Sequence, residues 1–226
     1  MDNETSFIGM EPLKVKSELG TIDEMLTNAY QYARDQVSTY NRRLVENWYS
    51  PKAKENERLL RAPIFIACII DDARLKILRR VISSAQIIAT KMGEQFEYTI
   101  KRLDSGGEYN MPDQETGSSK SFPWTSLKES GPHGVGMNKT EITKIIDELK
   151  ETREKICAMI ENMPLTLSLY DETGDIAQSY NGLLKSVSSK VSTAIKAAID
   201  TVTVCYETER SNVETGTVLA SQEFKV

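Results

Sequence analysis

The chain has 226 residues, 39% apolar and 27% charged, with a formal net charge of −5. That is enough to bury a substantial core, and an acidic balance with no Lys/Arg cluster interleaved with aromatics excludes a general nucleic-acid binder. Cys68, Cys157 and Cys205 are odd in number and widely spaced, so they read as buried thiols in a reducing compartment; with no apolar leader in MDNETSFIGMEPLK and no apolar run beyond 64–70, a membrane role is not expected and the location is cytoplasmic or nuclear.

Residues 1–19 read as a flexible N-terminal arm. Thr21 with Glu24 has the form of a capping box and opens a first helix. Its apolar stripe is Ile22, Leu26, Ala29, Ala33, Val37, Tyr40, Leu44 and Trp48, at steps of three and four. Ser50-Pro51 ends it, because the residue before proline leaves the α region. A second helix starts at Pro51 and is kinked or restarted at Pro63. Its stripe runs through Ala67, Ile70, Ile77, Val81, Ala85, Ile88, Met92 and Phe96 to Leu103, with Gly93 tolerated inside it. Ile66, Ile69, Leu78 and Ile82 widen this stripe, which makes the second helix the central one.

Residues 104–137 break the pattern. The block to Gly136 holds half of the twelve glycines and the only histidine, His133. It reads as a long Gly/Pro-rich loop, with an apolar island at Phe122, Pro123, Trp124 and Leu127. Asn138 with Glu141 caps a third helix, whose stripe is Ile142, Ile145, Leu149, Ile156, Ile160 and Met163. A turn at 171–174 leads to a fourth helix over about 175–209. Its stripe is Ala177, Tyr180, Leu184, Val187, Val191, Ala194, Ala198 and Cys205, with Thr201 as a polar exception. Residues 211–226 read as a flexible C-terminal tail. The fold class is all-α, an up-down four-helix bundle over 20–210 with the long loop between helices two and three. Tyr30, Tyr32, Ala197 and Ile199 lie beside the stripes and are expected to be exposed for self-association, making the chain a homo-oligomer.

Catalytic motifs are absent. One histidine makes neither a Ser-His-Asp triad nor a multi-histidine metal site. Asp71 and Asp72 are adjacent on a helix and point apart, which suits ion pairing with Arg74 or Lys76 better than acid–base work. GPHGVG is no phosphate-binding loop, since no strand precedes it. No catalytic residue, metal or cofactor is assigned, and the chain is read as a non-enzyme.

The segment Glu129-Ser130-Gly131-Pro132-His133-Gly134-Val135-Gly136-Met137, followed by the helical texture of Lys144 to Leu149, resembles the activation loop of the ring-forming, eleven-S type proteasome activators. Ser130 and Pro132 depart from that family's Asp and Asn. The resemblance implies a homo-heptameric ring without enzymatic activity that docks on the 20S proteasome and opens its gate. Glu129, Gly131, Gly134 and Val135 would belong to the activation loop, and Val226 would supply the docking carboxylate. The alternatives are a structural scaffold protein, viral or cytoskeletal, and a helical pore-forming or membrane-surface protein that uses the apolar face at 62–70.

Overall fold

The computed structural model describes residues 7–50, 65–103, 134–163 and 167–223. Glu129, Gly131, His133, Val226, the apolar island and the start at Pro51 lie outside them. Four long helices dominate: α1 Pro12–Asn47, α2 Phe65–Lys91, α3 Lys139–Glu161 and α4 Asp175–Gln222. Four two-residue strands accompany them: β1 Gly9–Met10, β2 Trp48–Tyr49, β3 Gly136–Met137 and β4 Leu169–Tyr170. The all-α class therefore holds. The described residues divide into two compact units, the first drawn from 1–32, 67–107 and 155–191, the second from 33–66, 108–154 and 192–226.

Helix boundaries differ from the sequence reading where local polar signals compete with burial. α1 begins at Pro12, not Thr21, and the expected arm already contributes Val15 and Leu19 to the core. Thr21 sits inside the helix, where its hydroxyl donates back to the Ser17 carbonyl. Val15 and Leu19 extend the stripe of Ile22 and Leu26 backwards by two turns, and that burial outweighs a capping box. The helix runs through Gly20 despite the roughly 1 kcal/mol that glycine costs relative to alanine.

α2 ends at Lys91, so the expected continuation to Leu103 is incorrect. Gly93 adopts φ +77°, the Gly93 N–H donates to the Thr90 carbonyl and the Glu94 N–H to the Ala89 carbonyl. This is a Schellman closure, in which a left-handed glycine satisfies the last carbonyls of the helix. Met92 is exposed as a result, while Phe96 is buried from the non-helical chain beyond.

α4 shows a different kind of shift. Its buried positions after Val191 are Ile195, Ala198, Ile199, Val202, Tyr206 and Glu209, whereas the expected Ala194, Thr201 and Cys205 are only half-buried. A strict seven-residue repeat drifts by about 20° per heptad on a straight helix, so the buried set slips by one residue. The helix also continues to Gln222, where a tail was expected.

In the first unit, β1 pairs antiparallel with β4, Gly9 opposite Tyr170 and Met10 opposite Leu169. Glu18 fastens the same region by accepting from the Ser168 N–H and hydroxyl, each at 2.7 Å. Below it lies a buried ion cluster. The Arg74 guanidinium donates to Asp71 at 3.0 Å, to Asp23 at 2.5 Å and to the Lys101 carbonyl at 2.8 Å. A charge this buried is tolerable only when its donors are spent on partners.

The second unit is closed by polar pairs between α1 and α3. The Tyr40 hydroxyl lies 2.9 Å from Thr152 Oγ1, and Arg43 bridges Glu141 and Glu148. The Asn138 cap is present as expected, with the Glu141 N–H donating to Asn138 Oδ1 at 3.2 Å. The side chain of Glu141 is drawn to Arg43 instead of completing a capping box. Among the described residues no helix is long and apolar enough to cross a membrane.

Candidate interaction surface

One end of the second unit gathers the loop exit, a short ribbon and the overhanging end of α4. Strands β2 and β3 pair antiparallel, Trp48 opposite Met137 and Tyr49 opposite Gly136, and the Asn138 N–H donates to the Asn47 carbonyl at 2.9 Å. This pairing fixes where the chain leaving the Gly/Pro-rich block joins α3.

Trp48 anchors the ribbon. Its ring is fully buried, and its Nε1–H donates to Glu209 Oε2 at 2.8 Å. Tyr206 meets the indole edge-to-face at 6.2 Å, an arrangement favoured by the aromatic quadrupole. The Tyr206 hydroxyl reaches the Lys139 carbonyl, and the Arg210 guanidinium lies 5.8 Å from the Tyr206 ring. Burial, and then the Glu209 carboxylate, push the neighbouring Cys205 thiol up. A low-pKa, reactive thiol is therefore not found there.

Two grooves flank the ribbon. One, about 490 Å³, is largely apolar and lies between Met137 and the α4 residues Arg210, Val213, Thr217 and Val218. The Lys139–Glu214 ion pair, 2.7 Å, crosses its rim. The other, about 560 Å³, is bounded by Glu46, Asn47, Tyr49, Gly134, Met137 and Asn138. Arg210 Nε is buried beside the first groove with no hydrogen-bond partner among the described residues.

Beyond Arg210 every described residue of α4 is exposed. The helix persists through Ser211, Thr215, Gly216 and Thr217, all poor helix formers, and Thr217 back-bonds to the Val213 carbonyl. The core stripe of Val202, Tyr206 and Glu209 continues into Val213, Thr217 and Ala220, which are exposed. Leu219, 59% exposed, projects on the other side of the helix from the groove-lining set, as steps of 100° require.

Of the sequence-expected site residues, Gly134 and Val135 fall within the described chain. Gly134 has φ +85° with open space around its Cα, and Val135 is 65% exposed. Both lie at the second groove or next to it. Tyr30 and Ile199 are corrected: at 1% and 4% exposure they belong to the protomer's own core and are not available for association. The residues that the sequence reading missed are Met137, Arg210, Val213, Val218 and Leu219. For Arg210, Val213 and Val218 the signal was the three-and-four spacing continuing past Glu209, hidden by the Ser/Thr/Gly composition of that stretch; Met137 and Leu219 carried no such signal. Among the described residues no group of three or more His, Cys, Asp or Glu is placed to hold a metal ion. No family model, curated protein or solved structure matches the chain.

Proposed function

We propose that this protein is a non-enzymatic, self-assembling helical protomer, its four helices forming one up-down bundle, that acts through protein contacts at the overhanging end of α4. The observation that carries this reading is the stretch 211–223, helical to Gln222 and exposed throughout. An isolated three-turn helix end is marginal in water, because helix stability in proteins comes mainly from packing an apolar face. Val213, Val218 and Leu219, at 45%, 56% and 59% exposure, are the groups such packing would cover.

The occupant is a second copy of the chain. The rim carries both signs, Lys139 and Arg210 beside Glu214, so copies meet with cations near anions. One copy offers an apolar groove and, on the other side of the same helix, a projecting Leu219. Two different surfaces on one protomer give head-to-tail contacts, which close into rings or run on as filaments. Sedimentation of wild type and Leu219→Glu at micromolar concentration tests this. The variant should fall to the protomer mass at unchanged melting temperature. If it assembles as wild type does, the contact is elsewhere.

In its most specific form the assembly is a ring that docks on the 20S proteasome and opens its gate. The support is the resemblance over 129–137 together with the exposure of Val135 beside a left-handed Gly134. A scaffold role corresponds to the open, filamentous alternative. Stimulated peptide hydrolysis by a purified core particle from the same source, lost in Gly134→Tyr with binding retained, is the expected result. No binding and no stimulation would leave only the assembly.

A further inference from the structure

A cavity of about 370 Å³ opens in the first unit, between α2, the chain at β4 and the first turns of α4. Its volume falls within the roughly 300–1,000 Å³ of small-molecule sites. The lining is mixed and includes Ser83, Ser84 and Ser179. Arg80 and Asp175 bring one charge of each sign, and neither side chain has an ion pair or hydrogen bond among the described residues. Leu167, Leu169 and Leu183 supply apolar walls. Tyr180 is 4% exposed, and its hydroxyl has no hydrogen-bond partner among the described residues. Burial and then the Glu18 carboxylate raise the Tyr180 pKa, so the hydroxyl keeps its proton and is a donor without an acceptor.

The α4 N-terminus is not the attraction. Its first N–H groups are already taken by Asp171, which accepts from Thr173, Asp175 and Ile176. An anion would therefore be held by the Arg80 guanidinium, whose planar fork matches a carboxylate. Asp175, at the start of α4 and lining the same cavity, would repel an anion that carried no compensating cation. A ligand with both charges removes that conflict, and the leucines give its remaining surface an apolar seat.

We propose that this cavity binds a small zwitterion with an apolar body, of which a free apolar α-amino acid is the simplest form. Its carboxylate accepts from Arg80 and offers the Tyr180 hydroxyl the acceptor it lacks. Its ammonium donates to Asp175, and its side chain packs on Leu167, Leu169 and Leu183. The site lies outside the α4 overhang, so its fate is independent of self-association.

The test is titration of the full chain with L-phenylalanine, N-acetyl-L-phenylalanine and L-phenylalaninamide, followed by calorimetry and by amide chemical shifts around Leu183. Saturable binding of L-phenylalanine is expected, with both derivatives at least about tenfold weaker because each lacks one charge. Arg80→Gln and Asp175→Asn should each weaken L-phenylalanine by a similar factor, and Leu183→Trp should abolish binding by filling the space. Tyr180→Phe should melt no lower than wild type, since it deletes an unmet buried hydroxyl, and yet bind more weakly. A merely structural role would lower melting and binding together. No saturable shift with L-phenylalanine, equal affinity for the three compounds, or wild-type binding by Arg80→Gln would overturn the proposal and leave a cavity that holds water only.

Discussion

Arg74 and Trp48 show how single buried polar groups hold this chain in register. Arg74 spends its donors on Asp71, Asp23 and the Lys101 carbonyl. Arg74→Met should cost about 3–5 kcal/mol, because Asp71, 1% exposed, would lose the guanidinium 3.0 Å away. Chemical denaturation would read this as a lower midpoint at unchanged slope. Trp48→Phe keeps an aromatic ring, though a smaller one, and removes the donor to Glu209, a carboxylate only 6% exposed. A loss of about 1–3 kcal/mol is expected, and Trp48→Phe melting like wild type would mean that water reaches Glu209. Asp171 contributes a pH dependence. Hydrogen bonds from the backbone, first that of Ile176, hold its carboxyl below the ordinary aspartate value of 3.8. A depressed folded pKa means that its stabilisation is complete above that ordinary value and is lost as pH falls through the folded one. Melting of wild type and Asp171→Ala should therefore differ at neutral pH and converge at acid pH. A gap that persists below the carboxylate range would contradict the assignment.

At the scale of elements, the stripes of α1 and α3 were legible because every expected member from Ile22 to Trp48, and from Ile142 to Met163, is buried; that of α2 holds through Ala85, while Ile88 is half-buried and Met92 exposed. Periodic burial is strong evidence, since it repeats over many turns. The ends were less legible. Thr21 and Glu24 carried a valid cap signal that two further apolar residues upstream overrode. Gly93 sat within an apolar series that continued to Phe96, yet Phe96 is buried from non-helical chain. Phe96 illustrates why spacing alone does not prove helix. Gly93→Ala tests the closure: its neighbourhood is open, so the penalty is purely that of a left-handed alanine, about 1 kcal/mol. That corresponds to a fall of roughly 2–4 °C in Tm for a chain of this size. No change would mean that Gly93 does not set the end of α2. The interaction surface was half legible. Gly134 and Val135 stood out by composition, whereas Val213, Val218 and Leu219 were masked by Ser, Thr and Gly, which predict coil on propensity alone.

For the whole molecule, the proposed self-assembly rests on α4, whose residues 211–222 are helical and exposed. Exposed apolar side chains such as Val213, Val218 and Leu219 are groups that a second copy of this 25.4 kDa chain would cover. The direct measurement is the mass of the purified chain by light scattering at micromolar concentration. A single discrete mass at an integral multiple of the protomer is the predicted result, with continuous growth in mass pointing to the filament form of the same contact. The protomer mass alone, unchanged as concentration rises, would contradict it.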